Sequence, residues 1–193
     1  MRYTMIKGIK HSIMVSEGSV AIEFSILAFP YFFVVFAILE ICICFSAQQL
    51  FDNASYTISR QIRTGELNKD NSSIRNIRSL FCREVRYLIS CSSTEPQKVR
   101  DLYIDVKKIN SLGDIPRDIP RLGTNVDAPI NDVGFGFNPG DPGSYNVFRA
   151  FYHWPVFSNF MIKYLAAVKH PDKKTSDYLM ASVVVFKNEL FDK

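Results

Sequence analysis

Two acids bracket the most apolar part of the chain. Glu23 and Glu40 enclose sixteen uncharged residues within the stretch EGSVAIEFSILAFPYFFVVFAILEICICF, residues 17–45. As a helix, sixteen residues rise about 24 Å, short of the ~30 Å hydrocarbon core of a bilayer, whereas Phe24 to Ser46 rises about 34 Å and crosses it with some tilt. One transmembrane helix is predicted, with Glu40 in its distal half. Beyond it the pattern changes: Ala47, Leu50, Phe51, Ala54, Ile58 and Ile62 recur at three- to four-residue steps, so the helix is expected to continue, now amphipathic, until Gly65. A second helix is expected from Ser73 to Ile89, capped by Asn71 or Ser72, with Ile74, Ile77, Leu80, Phe81, Val85 and Leu88 inward. The two form a hairpin.

Period-two alternation follows. Leu102, Ile104 and Val106 alternate with Tyr103, Asp105 and Lys107, which reads as a half-buried strand, and a second strand is expected at Tyr145 to His153. Residues 110–143 collect Gly, Pro, Asn and Asp into a loop longer than ordinary connections. Phe157, Phe160, Met161, Tyr164, Leu165 and Val168 space as a helix, and Tyr178 to Lys187, around SVVVF, reads as a last strand. The expected fold is α+β: a long N-terminal transmembrane helix extending into a domain whose helices pack on a small, mainly antiparallel sheet.

The apolar run is too long for the core of a cleaved secretory signal and lacks a small-x-small site; a lipoprotein signal would need a small residue where Ile41 and Ile43 precede Cys42 and Cys44. A buried core helix, tolerant of Pro30 and two acids, stays as the alternative. Arg2, Lys7 and Lys10 precede the span and no Lys or Arg follows until Arg60, so the N-terminus is expected in the cytoplasm and residues 47–193 outside. Glu23 and Glu40 are seventeen residues apart, about a quarter turn out of phase on a helix, and serve different contacts. Glu40 either faces protein, water or a cation, or snorkels to the outer interface.

Composition narrows the function classes. A net charge of +4 without a dense basic block gives no nucleic-acid signature, and 47% hydrophobic residues argue for a packed core. An exported domain meets an oxidising compartment, so Cys82 and Cys91, nine apart, are expected to form a disulfide if the chain folds back across Ser90; buried thiols are the alternative. Two cysteines without a nearby histidine do not complete a zinc shell, and no metal or other cofactor is expected. Cys42 and Cys44 pack as small apolar residues. His11, His153 and His170 are scattered, no HExxH, GxSxG or Walker-type motif occurs, and GFGFNPGDPG, residues 134–143, lacks the lysine of a phosphate cradle. His153 is read as a strand-end core residue. No catalytic residue and no small-molecule substrate are assigned.

The junction of leader and span adds a resemblance. A short basic leader ends at Gly18, followed by Ser19-Val20-Ala21-Ile22-Glu23-Phe24, which resembles a type IV prepilin processing site. That resemblance implies cleavage by a prepilin peptidase between Gly18 and Ser19, leaving Glu23 as the fifth residue of the mature chain. LEICICF, AQQLFDNASYTISRQIRTGEL, FCREVRYLISC, LYIDVKKI, FNPGDPGSYNVFRAFYHWPVF and VVVFKNELF extend the likeness, which is to the TadE family of pseudopilins, minor components of tight-adherence (Flp) pilus systems. It implies a leader at 1–18, a transmembrane helix at 19–46 and a periplasmic domain at 47–193. It also implies partnership with other pilin subunits and the assembly machinery in the bacterial inner membrane, with Glu23 and Glu40 setting register. The rival reading is an uncleaved, single-pass anchor for a periplasmic binding or adhesion domain.

Overall fold

The computed structural model describes residues 10–91, 101–116, 118–125, 127–157, 168–169 and 176–190, with side chains from residue 20 onward. The chain divides into two compact units, Met1–Cys42 and Ile43–Lys193.

The first unit carries the start of helix α1 (Lys10–Arg63), with Pro30 inside it. α1 from Val20 onward is long and apolar enough to cross a membrane, and its most apolar window buries nothing. Apolar side chains point to every side of this segment, from Val20 and Phe24 to Phe36 and Leu39, all exposed. Such a helix has no stripe with which to find a core.

In the second unit the same helix has a buried stripe. Ala47, Phe51, Ala54, Ile58 and Ile62 are buried with Ser55 and Ser59 beside them, spaced at three and four as the sequence predicts. α1 ends at Arg63, and Gly65 follows with φ 79°, a left-handed conformation that costs glycine nothing; its N–H donates to Ile62 at 3.1 Å.

Helix α2 (Ile74–Val85) is shorter than its apolar pattern suggests. Its cap is Ser73, whose hydroxyl accepts from the Asn76 N–H, not Asn71 or Ser72. Asn71 is already committed to the connecting turn, accepting from the Asn68 N–H and donating to the Glu66 carbonyl, each at 2.9 Å. The helix ends at Val85 because the chain turns back so that Cys91 reaches Cys82; Ile89 is buried, and Leu88, expected inward, is exposed.

Five strands form one sheet in the order β2-β1-β3-β5-β4: β1 Leu102–Ile109, β2 Phe137–Asn138, β3 Tyr145–Trp154, β4 Val168–Lys169 and β5 Ser176–Lys187. β1, β3 and β5 are antiparallel neighbours, with Ile104 opposite Ala150 and Ala150 opposite Ser182; β2 pairs parallel with β1. The fold is thus α+β with a mixed, mainly antiparallel sheet. The helix expected at 157–168 lies outside the described residues over 158–167; Phe157 is exposed in no regular element, and Val168 pairs with Asp177 as a strand residue instead.

One face of the sheet packs on the helices. Phe51 of α1 meets Phe81 of α2 edge-on at 5.0 Å, and Phe81 stacks on Phe148 of β3 at 6.4 Å, in a core shared with Leu102, Ile104, Val106, Ala150, Tyr152 and Met180. Each such side chain, once buried, contributes about 1.5–3 kcal/mol. The other face is covered too, so β1 is not half-buried: Tyr103 and Asp105 are buried. The cover is the 110–143 segment, whose Ile119, Ile130 and Phe135 pack with Tyr103, Phe151, Val168 and Leu179. That segment also carries a 3-10 turn at Leu112–Asp114, an Arg121–Ile130 bridge and β2.

Candidate functional site

The residues singled out at the N-terminus lie along α1. Gly18 and Ser19 are inside the helix, and Glu23 stands exposed one turn further on. Glu40 is half-buried, about 26 Å along the axis from Glu23 at 1.5 Å per residue, so the two acids are not brought together. Ser25 donates to the Ala21 carbonyl at 2.8 Å, which keeps its hydroxyl satisfied within the helix in an apolar medium. Cys42 is exposed and Cys44 is buried.

Cys82 and Cys91 are joined by a disulfide, with Cα atoms 5.4 Å apart. It closes the turn after α2, and two further ties hold that turn and α2 itself to the sheet. The Tyr152 hydroxyl donates to the Ser90 carbonyl at 3.2 Å, and the Arg78 guanidinium donates to the Leu102 carbonyl at 2.9 Å. Burial pushes the Tyr152 phenol up to about 12, with the negative charges of Asp101 and Asp177 adding to the shift. Burial lowers the Arg78 pKa from its ordinary value.

Periodicity did not reveal the polar centre under the 110–143 cover. Asp105, fully buried on β1, accepts from Arg149 of β3 through Nη2 at 2.6 Å and Nε at 3.2 Å. The Gly136 N–H donates to its other oxygen at 3.2 Å, and Lys107 stands 3.4 Å away. Phe135 lies against both cations, 5.4 Å from the Arg149 guanidinium and 5.8 Å from the Lys107 ammonium. Strand and cover are thereby locked: the carboxylate fixes the backbone at Gly136, and Phe135 closes over the pair. The arrangement is satisfied internally and offers no open face for chemistry.

His153 is buried, its Nδ1 3.7 Å from Asp177 and its ring edge-on to Tyr103 at 5.9 Å, in the strand-end core position expected of it. The GFGFNPGDPG run is a clamped turn. The Gly140 N–H donates to Asn146 Oδ1 at 2.7 Å, and Asn188 Nδ2 donates to the Gly140 carbonyl at 2.8 Å. A Cβ at Gly140 would collide with the Ser144 hydroxyl, which explains the glycine. The neighbouring Glu189 N–H donates to the Arg63 carbonyl at 2.9 Å, tying the chain after β5 to the end of α1.

What remains as a functional feature is the exposed apolar helix with its embedded acids. No curated protein and no solved structure matches the chain. Residues 18–60, from Gly18 through Glu23 and Glu40 to Arg60, match the model of the TadE-like protein family, the family that the sequence resembles.

Proposed function

We propose that this chain is a pseudopilin-like minor subunit of a tight-adherence pilus system, trimmed between Gly18 and Ser19 by a prepilin peptidase and assembled through its transmembrane helix. The observation that carries this reading is the family match, which starts at Gly18 and covers the whole apolar segment. The all-round apolar exposure of that segment supports it, since a single N-terminal helix of this kind fits a membrane anchor.

Cleavage would free an α-amine at Ser19, largely protonated at neutral pH because its pKa is about 8. That cation sits at the N-terminus of a helix, where four backbone N–H groups and the macrodipole already add positive charge. A carboxylate is what such an end lacks. Glu23 supplies it one turn away in the same chain or, more usefully, from a neighbouring copy, where the pairing in low dielectric fixes how far one helix slides past the next. Glu40 then meets a different neighbour or the outer interface. The domain from residue 47 stands in the periplasm and caps or initiates the fibre, and the chain's work is packing and not catalysis.

Intact-mass measurement on chain extracted from membranes that contain a prepilin peptidase tests the reading. A mature chain beginning at Ser19 is expected, with Gly18→Ala blocking its formation. A chain that keeps its leader in the presence of the peptidase favours the uncleaved anchor of a binding domain and contradicts the proposal.

A further inference from the structure

The bond assigned to cleavage is not in a loop. α1 is already helical at Lys10, so the Gly18–Ser19 peptide lies more than two turns inside a continuous helix. A peptidase acts on a locally opened, extended backbone, because a helix keeps its carbonyls hydrogen-bonded and turned along the axis. Opening from the N-terminal side releases the turns up to Gly18 before the bond is presented. Gly18 is the single glycine in the 54 residues of α1, and glycine is the residue that most weakens a helix interior apart from proline.

From these observations, and resting on the processing reading above, we infer that maturation is gated by unwinding of the first turns of α1, with Gly18 marking where the helix opens. Where opening is fast relative to cutting, cleavage follows the population of the opened form. Helix propensity in the leader then sets the rate, even at positions the peptidase does not read. Once the leader leaves, the helix restarts at Ser19 with its new ammonium and Glu23 in the first turns, so the opened state does not persist in the product.

The test uses the full chain in detergent with purified prepilin peptidase and compares the wild type with Ser12→Ala/Ser16→Ala and Ser12→Gly/Ser16→Gly. Two readouts are taken: the rate at which Ser19 N-termini appear, and amide hydrogen exchange across residues 12–20 without peptidase. The alanine pair is expected to exchange and be cut more slowly than the glycine pair, by on the order of tenfold or more in both readouts. Equal cleavage rates despite different exchange would overturn gating while leaving processing intact. Different cleavage with equal exchange would overturn it as well, assigning the effect to peptidase subsites. If no variant, wild type included, yields Ser19, the processing reading itself fails and gating falls with it.

Discussion

Two segments of α1 carry their apolar side chains in different patterns and treat them in opposite ways: from Val20 to Phe45 nearly every residue is apolar, and from Ser46 to Arg63 apolar positions are interleaved with polar ones. From Val20 to Phe45, sixteen large apolar residues are exposed, whereas Phe51, Ile58 and Ile62 are nearly inaccessible. At about 1.5 kcal/mol or more for each side chain, water contact along the first segment would forgo on the order of 20 kcal/mol of burial. A folded domain is stable by only about 5–15 kcal/mol. The difference between the segments is therefore one of surroundings: the second finds its apolar partner in its own domain, and the first needs lipid or other helices. Pattern as well as density separates them. Polar residues interposed at helical spacing, Gln49, Asn53 and Arg60 against Phe51, Ala54 and Ile58, mark the segment that folds onto its own chain.

The largest effect that sharpens this contrast comes from matched truncations. Phe51→Ala should destabilise the domain by about 3–5 kcal/mol, and Phe32→Ala should leave domain stability within about 0.5 kcal/mol. Denaturant unfolding in detergent, followed by the fluorescence of Trp154, the single tryptophan and a buried one, reads both. Comparable losses at the two positions would erase the distinction. Next comes the polar centre: Asp105→Asn strands a buried guanidinium and should cost about 3 kcal/mol, while Asp105→Asn/Arg149→Met should recover much of the loss. An additive double variant would show that the two groups are not coupled. Smaller still, reducing the Cys82–Cys91 bridge should cost about 2–3 kcal/mol for so short a loop. Membrane retention should be untouched; a chain released from the membrane by reductant would break the separation between anchor and domain.

Much of this was legible before any coordinates. The long apolar helix, its amphipathic continuation to Gly65 and the three long strands follow from local periodicity and glycine, and the cysteine pairing was expected from the oxidising compartment that the apolar helix implied. What was not legible depends on contacts between distant residues. Asp105 and Arg149 are 44 residues apart, and only the β1–β3 register sets them side by side. The alternation in LYIDVKKI suggested one wet face, because a buried aspartate looks like an exposed one until its partner is known. Likewise Ile119, Ile130 and Phe135 lie too far apart in a Gly/Pro-rich segment to announce a cover, and β2 and β4, at two residues each, are too short to show a period. The cap falls at Ser73, one or two residues past the expected Ser72 or Asn71, because all three have side chains able to cap and only the turn built around Asn68 decides among them. Gly18, Ser19, Glu23 and Glu40 were named from motif and likeness, and the proposed function gives them partners outside the chain, a peptidase and neighbouring copies.

The most direct measurement is fractionation of the full-length chain from cells, with alkaline-carbonate washing of the membranes before extraction. Residues 20–45, if seated in a bilayer, hold all of the chain in the washed membrane pellet until detergent is added. Recovery of folded chain from the aqueous fraction, with its tryptophan buried and Met1 still in place, would contradict the membrane assignment and the processing built on it.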